Sequence, residues 1–158
     1  MSTPLRLDHN FFENEVRPHL GAVLLQTKLL RPDQLDQALD AQRASGKRLG
    51  ETLIALGWLY EQDIARAIAV QNDLKYIDLE ASSVDPRAAA RLRPAVGQEL
   101  CAIPVRYEGD GLLVAVGDPA DAPLSTLVAE TGCNVEVCVG DPSVILNAWR
   151  RLLRGERP

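Results

Sequence analysis

The sequence repeats itself. Residues 19–42, HLGAVLLQTKLLRPDQLDQALDAQ, and residues 48–71, RLGETLIALGWLYEQDIARAIAVQ, coincide when the chain is slid by 29 positions. The shift places Leu20 on Leu49, Gly21 on Gly50, Leu24 on Leu53, Leu30 on Leu59, Ala38 on Ala67 and Gln42 on Gln71. Leu25/Ile54, Leu35/Ile64 and Leu39/Ile68 agree in kind. An internal repeat constrains a fold strongly, because it points to one supersecondary unit used more than once. Two copies are too few for a solenoid. They can form a pseudo-symmetric pair, and such a pair raises the question of a two-fold ligand.

Within each copy the apolar residues fall at i, i+4 spacing: Leu20 with Leu24, Leu35 with Leu39, Leu49 with Leu53, Ile64 with Ile68. That is a helical period. Pro32 suits the first turn of a helix, where its missing N–H costs nothing. The segment ASGK at 44–47 separates the copies and offers Gly46 as a helix stop. The spacing therefore predicts four short helices in two hairpins. Helices this short depend on tertiary packing of their apolar stripes.

The pattern changes after NDLKYIDLEASSVDP, which reads as a linker with a short extended piece, KYIDL. Asp85-Pro86 predicts a helix through Leu92, and Pro94 another through Leu100. AIPVRYEGDGLLVAVGD predicts two strands about Gly109-Asp110-Gly111, a hairpin signal. APLSTLVAETG predicts a helix ending near Gly132, NVEVCVG a strand, and DPSVILNAWRRLLRG a last helix with Asp141 as its N-cap. Arg150, Arg151 and Arg154 lie toward its negative end. Trp149 is expected in the core. Cys133 and Cys138 are expected as buried thiols on opposite faces of a strand. Asp118 and Asp121, in VGDPAD, are expected as caps.

The expected fold class is α+β, a helical subdomain followed by a small three-stranded sheet covered by helices. The expected divisions are an arm at 1–18 with a short helix around FFENEV, the helical subdomain at 19–73, a linker at 74–84, the α+β subdomain at 85–154, and a tail at 155–158. A start at Met1 favours a complete short protein over an excised domain.

Composition removes several function classes. Net charge is −5 and both halves are acidic, so neither DNA nor RNA is the expected partner. Aromatic residues make up only 4%, which leaves Leu, Val, Ile and Ala to build the core. Three cysteines suggest no disulfide framework, and with only His9 and His19 as histidines no Cys/His zinc site is expected. No apolar run approaches the ~20 residues of a membrane helix, and the first residues are unlike a signal peptide. A cytoplasmic location follows as an expectation. No phosphate loop and no hydrolase or metalloprotease motif occurs, so no catalytic residue, metal or cofactor is assigned and the chain is read as non-enzymatic.

An Arg-Leu-Gly opening has chemistry of its own. Glycine lets a ligand approach the backbone, and the free N–H groups at a helix start favour an anion. An adjacent Arg can make a forked contact to phosphate or to the edge of a guanine. Nearby Leu and Ile can lie against a base, and Gln offers both a donor and an acceptor. Arg43 and Lys47 sit beside Arg48, and a solvated face accounts for those two.

The two 24-residue blocks resemble the tandem motif of the MshEN family, the N-terminal domain of type II secretion and type IV pilus assembly ATPases. The pattern is approximately R-L-G-x-x-L-[LVI]-x-x-G-[LVIF]-[LVI]-x-x-x-x-L-x-x-x-L-x-x-Q, twice. The resemblance extends over roughly 19–153 and includes NDLKYIDLEASSVDPRAAARLRP and AIPVRYEGDGLLVAVGDPAD. It implies binding of cyclic di-GMP, one motif to each half of the dinucleotide. Arg48, Leu49 and Gly50 would meet a phosphate or guanine, Ile54, Trp58 and Leu59 would form an apolar floor, and Gln71 would hydrogen-bond. The matching residues of the first copy are His19, Leu20, Gly21, Leu25, Leu29, Leu30 and Gln42. The resemblance also implies a protein partner: a secretion or pilus ATPase, a membrane platform protein or a glycosyltransferase.

The first copy departs from the pattern twice. His19 stands where Arg is expected, and Lys28 where the second copy has Gly57. A neutral imidazole lacks the fixed charge and fork of a guanidinium. These departures favour an alternative expectation, a docking domain that acts without nucleotide.

Overall fold

A computed structural model describes residues 19–156; the arm, with its expected helix around FFENEV, and the last two residues of the tail lie outside them. The repeats form four helices: α1 (Leu20–Gln26), α2 (Pro32–Ser45), α3 (Leu49–Ala55) and α4 (Glu61–Gln71). Gly46 ends α2 in the left-handed conformation, φ 70°, and its N–H donates to Gln42 O. The strongest helix pairings run between the copies. α1 packs on α4 and α2 on α3, so each copy covers the other's apolar stripe. Their core is Val23, Leu24, Leu30 and Ala38 from the first copy, with Leu53, Leu59, Ile64, Ala67 and Ile68 from the second.

The repeats share their starting geometry with one exception. The Arg31 N–H donates to Gln34 Oε1, and at the matching position the Tyr60 N–H donates to Asp63 Oδ2. The Arg48 N–H donates to Glu51 Oε2, but Ala22 occupies the equivalent place in the first copy, so α1 begins at His19 with no such cap.

The second half is a mixed sheet. β1 (Ala102–Glu108) pairs antiparallel with β2 (Gly111–Val116), and β2 pairs parallel with β3 (Asn134–Val139), in the order β1-β2-β3. The predicted turn, Gly109-Asp110, joins β1 to β2. A register shift falls at Pro104–Arg106, where proline has no N–H to give to a ladder. The carbonyl of Val105 instead accepts from Asp85 N at 2.7 Å. Helices α5 (Pro86–Ala89), α6 (Pro94–Leu100), α7 (Leu124–Thr131) and α8 (Pro142–Leu153) pack on this sheet. Trp149 is 2% exposed and donates from Nε1 to Ala102 O at 2.8 Å. The α+β architecture is the expected one.

Three local expectations are corrected. The helix expected from Asp85 to Leu92 ends at Ala89, and Arg91 and Leu92 continue in i→i+3 turns. Pro94 pushes the residue before it into extended geometry, so one continuous helix cannot run through. Asp141 does not cap α8 with its side chain; its Oδ1 accepts from the Tyr76 hydroxyl at 3.1 Å. Cys133 is half-buried, not buried. It precedes β3, and Arg91 Nη2 reaches its Sγ at 3.2 Å.

The two halves share β3. Cys138 points into the sheet core and Val139 into the helical core, as strand alternation requires. The KYI segment lies along the same end: Ile77 N donates to Val139 O and Val139 N to Lys75 O, both 2.8 Å. Among the described residues no helix is long and apolar enough to cross a membrane.

Candidate functional site

Helices α1 and α3 open a cavity of about 1050 Å³. Eight pairs of residues related by the 29-residue offset line it: His19/Arg48, Leu20/Leu49, Gly21/Gly50, Ala22/Glu51, Leu25/Ile54, Leu35/Ile64, Leu39/Ile68 and Gln42/Gln71. The repeat in the sequence has thus become a cavity with two matching sides. Its size suits a ligand larger than a single nucleoside.

Ten of the fourteen residues singled out from the sequence come together here: Arg48, Leu49, Gly50, Ile54, Gln71, His19, Leu20, Gly21, Leu25 and Gln42. The other four lie elsewhere. Leu30 and Leu59 are buried in the helical core, Trp58 packs against that core, and Leu29 is exposed outside the cavity. The floor is formed instead by Leu35, Leu39, Ile64 and Ile68, one turn apart on α2 and α4. Their recurrence was visible in the sequence, but buried packing was the simpler reading of it.

The glycines serve the packing. A Cβ on Gly50 would stand 2.8 Å from Ile64 Cγ2, and one on Gly21 3.1 Å from Leu35 Cδ1. Each glycine lets the first helix of its copy rest on the second. The same closeness brings the backbone of both helix starts to the cavity wall.

The second copy's side is also lined by the sheet half, through Cys101, Gly117, Asp118, Asp121 and Pro142. Two contacts tie it there. Arg48 donates from Nη1 to Asp121 Oδ2 and from Nη2 to Asp121 Oδ1, both 2.6 Å, and Asp118 lies 3.5 Å away. Glu61 accepts from Ser143 N at 2.7 Å and from Ser143 Oγ at 2.6 Å. It thereby caps α8 in place of Asp141. Asp118 accepts from Ala120 N and closes a turn, but it caps no helix, since the next one begins at Leu124 after Pro123. Asp121 does not fill the expected capping role either, because its carboxylate faces Arg48. These ties cross 73 and 82 residues of sequence, and no local pattern announces them.

The charge of the cavity is lopsided. Arg48 is its one permanent cation among the described residues, facing Glu51, Glu61, Asp118 and Asp121. The Asp121 hydrogen bonds and charge raise the Arg48 pKa further, and Arg48 in turn holds the Asp121 carboxyl below its usual range. Burial, then the Glu61 charge, pushes the Cys101 thiol up to about 11. Among the described residues no group of His, Cys, Asp and Glu is placed to hold a metal ion.

The family model of the MshEN domain matches residues 72–158, more than half of the chain. A solved structure of MshE with cdg is 33% identical, with a TM-score of 0.76, over 85% of this chain and 99% of that one. A match that long reaches beyond residue 72 into the repeats. The N-terminal domain of XpsE, 24% identical with a TM-score of 0.66 over 87% and 94% of the two chains, shares the fold. Bacteriophage adsorption protein B of Escherichia coli K12 is 29% identical over 147 residues, 90% of this chain and 20% of its own length. Type IV pilus assembly ATPase PilB of Myxococcus xanthus is 27% identical over 140 residues, 88% and 25% respectively. The chain therefore spans a fifth to a quarter of the length of these curated relatives.

Proposed function

The chain belongs to the MshEN domain family, and from that premise we propose that it is a non-catalytic regulatory module whose cavity binds cyclic di-GMP. The observation that carries this reading is the pairing of eight repeat positions around one cavity. A two-fold wall suits a ligand made of two identical halves. The solved relative that holds cdg supports it, since that match covers both halves of this chain.

The assignment of groups follows from chemistry. Each guanine lies against one apolar set, Leu20, Leu25, Leu35 and Leu39 on one side and Leu49, Ile54, Ile64 and Ile68 on the other. Gln42 and Gln71 hydrogen-bond to base or ribose edges. Arg48 meets a phosphate or a guanine edge with a charge-assisted bond. His19 takes the matching place with weaker means.

Binding would be felt outside the cavity. Arg48 joins the helical half to the loop after β2 through Asp121, so a ligand that engages Arg48 acts on the tie between the halves. A ligand shifts such an equilibrium only through different affinity for its two arrangements, and Arg48 supplies that difference. The partner receiving the signal is a protein of the pilus, secretion or polysaccharide-synthesis kind.

Titration calorimetry of cyclic di-GMP into the chain tests the reading, with Arg48→Ala as control. Saturable binding lost in the variant is the expected result. Four carboxylates around the cavity and His19 in the first copy favour a second reading, a docking domain that works without nucleotide. A folded chain giving no heat at high micromolar ligand would select that one.

A further inference from the structure

We infer that His19 makes the cavity's affinity for a dianionic dinucleotide proton-linked, so that ligand binds together with a proton at the first copy. The inference rests on the nucleotide reading above and concerns the residue in which the two sides differ most.

The geometry comes first. His19 and Arg48 are the same position of the repeat, each preceding the first helix of its copy, and both line the cavity. Arg48 is charged at every pH of interest and its charge is already matched by Asp121. A ligand with two phosphates therefore meets one neutralised cation on the second side. On the first side it meets a histidine, the residue type whose unperturbed charge change falls between about pH 5 and 8. Only the protonated imidazole has two N–H donors and a positive charge to offer.

Among the described residues, the other ionisable groups around the cavity are of kinds that change charge outside that range. α1 itself carries no charged residue. Against it, α3 presents Glu51 together with Arg48 at its start, and α4 carries Glu61, Asp63 and Arg66. Glu61 is held by Ser143, Asp63 caps Tyr60, and Arg66 lies over the Tyr76 ring. The charged residues of α2 do not line the cavity. The sheet half contributes Cys101, Asp118 and Asp121, with Asp141 next to Pro142. Carboxylates ionise near pH 4, and Asp121 is held lower still. Asp141 is the exception, raised by burial, but its carboxylate is turned to Tyr76. The Cys101 thiol stays protonated. Among the described residues the ion pair at Arg48 has no counterpart at His19, so within that set protonation there creates a charge without an ion-pair partner.

The gain is the difference between a neutral and a charge-assisted hydrogen bond, roughly ten-fold in affinity. Calorimetry of cyclic di-GMP at pH 5.5 and pH 8 should show affinity roughly ten-fold tighter at the lower pH. At intermediate pH, binding heats measured in buffers of different ionisation enthalpy should reveal proton uptake. His19→Arg should bind as tightly at pH 8 as at pH 5.5, and His19→Gln should bind weakly at both. His9→Gln, at the other histidine of the chain, should keep the native pH slope. Equal affinity at both pH values in the native chain overturns the inference and leaves the nucleotide reading standing. So does a slope that survives in His19→Gln. No binding by any variant at any pH overturns both.

Discussion

Arg48 and Asp121 meet fork to fork, Nη1 on Oδ2 and Nη2 on Oδ1, each at 2.6 Å, across 73 residues of sequence. The pair is half exposed, with side-chain accessibilities of 59% and 45%, so solvent screens it. Its value to stability is that of a surface pair, at most about 1 kcal/mol. Arg48→Ala should therefore abolish nucleotide binding while the denaturation midpoint hardly moves. A double-mutant cycle with Asp121→Ala would give the coupling directly. Loss of folding in Arg48→Ala would show that the pair is structural and remove it as a specific probe of the ligand.

The same pair fixes a sign with pH. Asp121 has its folded pKa depressed below 3.8 by Arg48. Its contribution is complete well above that value and is lost as pH falls towards and through the folded pKa. The stability difference between the native chain and Arg48→Ala should stay constant above about pH 5 and shrink below it. Urea unfolding at several pH values checks this. A difference that grows in acid would contradict the assignment.

Lys28 adopts φ 59°, and Gly57, its partner in the repeat, φ 73°. Both turn the chain after the first helix of a copy. A left-handed conformation costs a residue with a Cβ about 1–2 kcal/mol, part of which glycine gives back in chain entropy. Lys28→Gly should stabilise the protein by about 0.5–1 kcal/mol, and Gly57→Ala should destabilise it by about 1 kcal/mol. Urea midpoints measure both. An unchanged or lowered midpoint in Lys28→Gly would mean that lysine makes a compensating contact.

The repeat made much of this legible in advance. Equal residues at a fixed offset had to occupy equivalent places, and that alone grouped Arg48 with His19 and Gln71 with Gln42. What the offset could not tell was which apolar positions face inward and which face the cavity. Leu59 and Ile64 look alike in sequence, yet Leu59 faces the core and Ile64 touches both core and cavity. The crosswise packing of the copies decides this, and packing between helices leaves no mark in the spacing within one. The Arg48–Asp121 and Glu61–Ser143 contacts were hidden for a related reason. They join segments whose own patterns were already explained by turns and caps.

Gly97 lies under the Trp149 ring, and a Cβ there would come 2.4 Å from Trp149 Cζ2. Trp149 cannot yield, being 2% exposed and held by Ala102 O through its indole N–H. Overpacking of this kind costs about 1–3 kcal/mol. Gly97→Ala should fall at the upper end and lower the melting temperature by about 6–10 °C. Gly97 does not line the cavity, which makes it a control: cyclic di-GMP affinity should persist below the melting range. A melting temperature matching the native chain would mean that α6 and α8 separate more easily than their packing implies.

The three thiols report on the cavity without any substitution. Burial pushes Cys138 up to about 12 and Cys101 up to about 11, leaving little reactive thiolate in either at pH 8. Cys133 is half-buried at the mouth of β3 with Arg91 beside its sulfur. Iodoacetamide followed by mass spectrometry should label Cys133 first, Cys101 slowly and Cys138 only after denaturation. Cys101 is the one that lines the cavity. Saturating cyclic di-GMP should slow its labelling further and leave Cys133 unaffected. An unchanged Cys101 rate, with ligand demonstrably bound, would place the nucleotide somewhere other than between the two copies of the repeat.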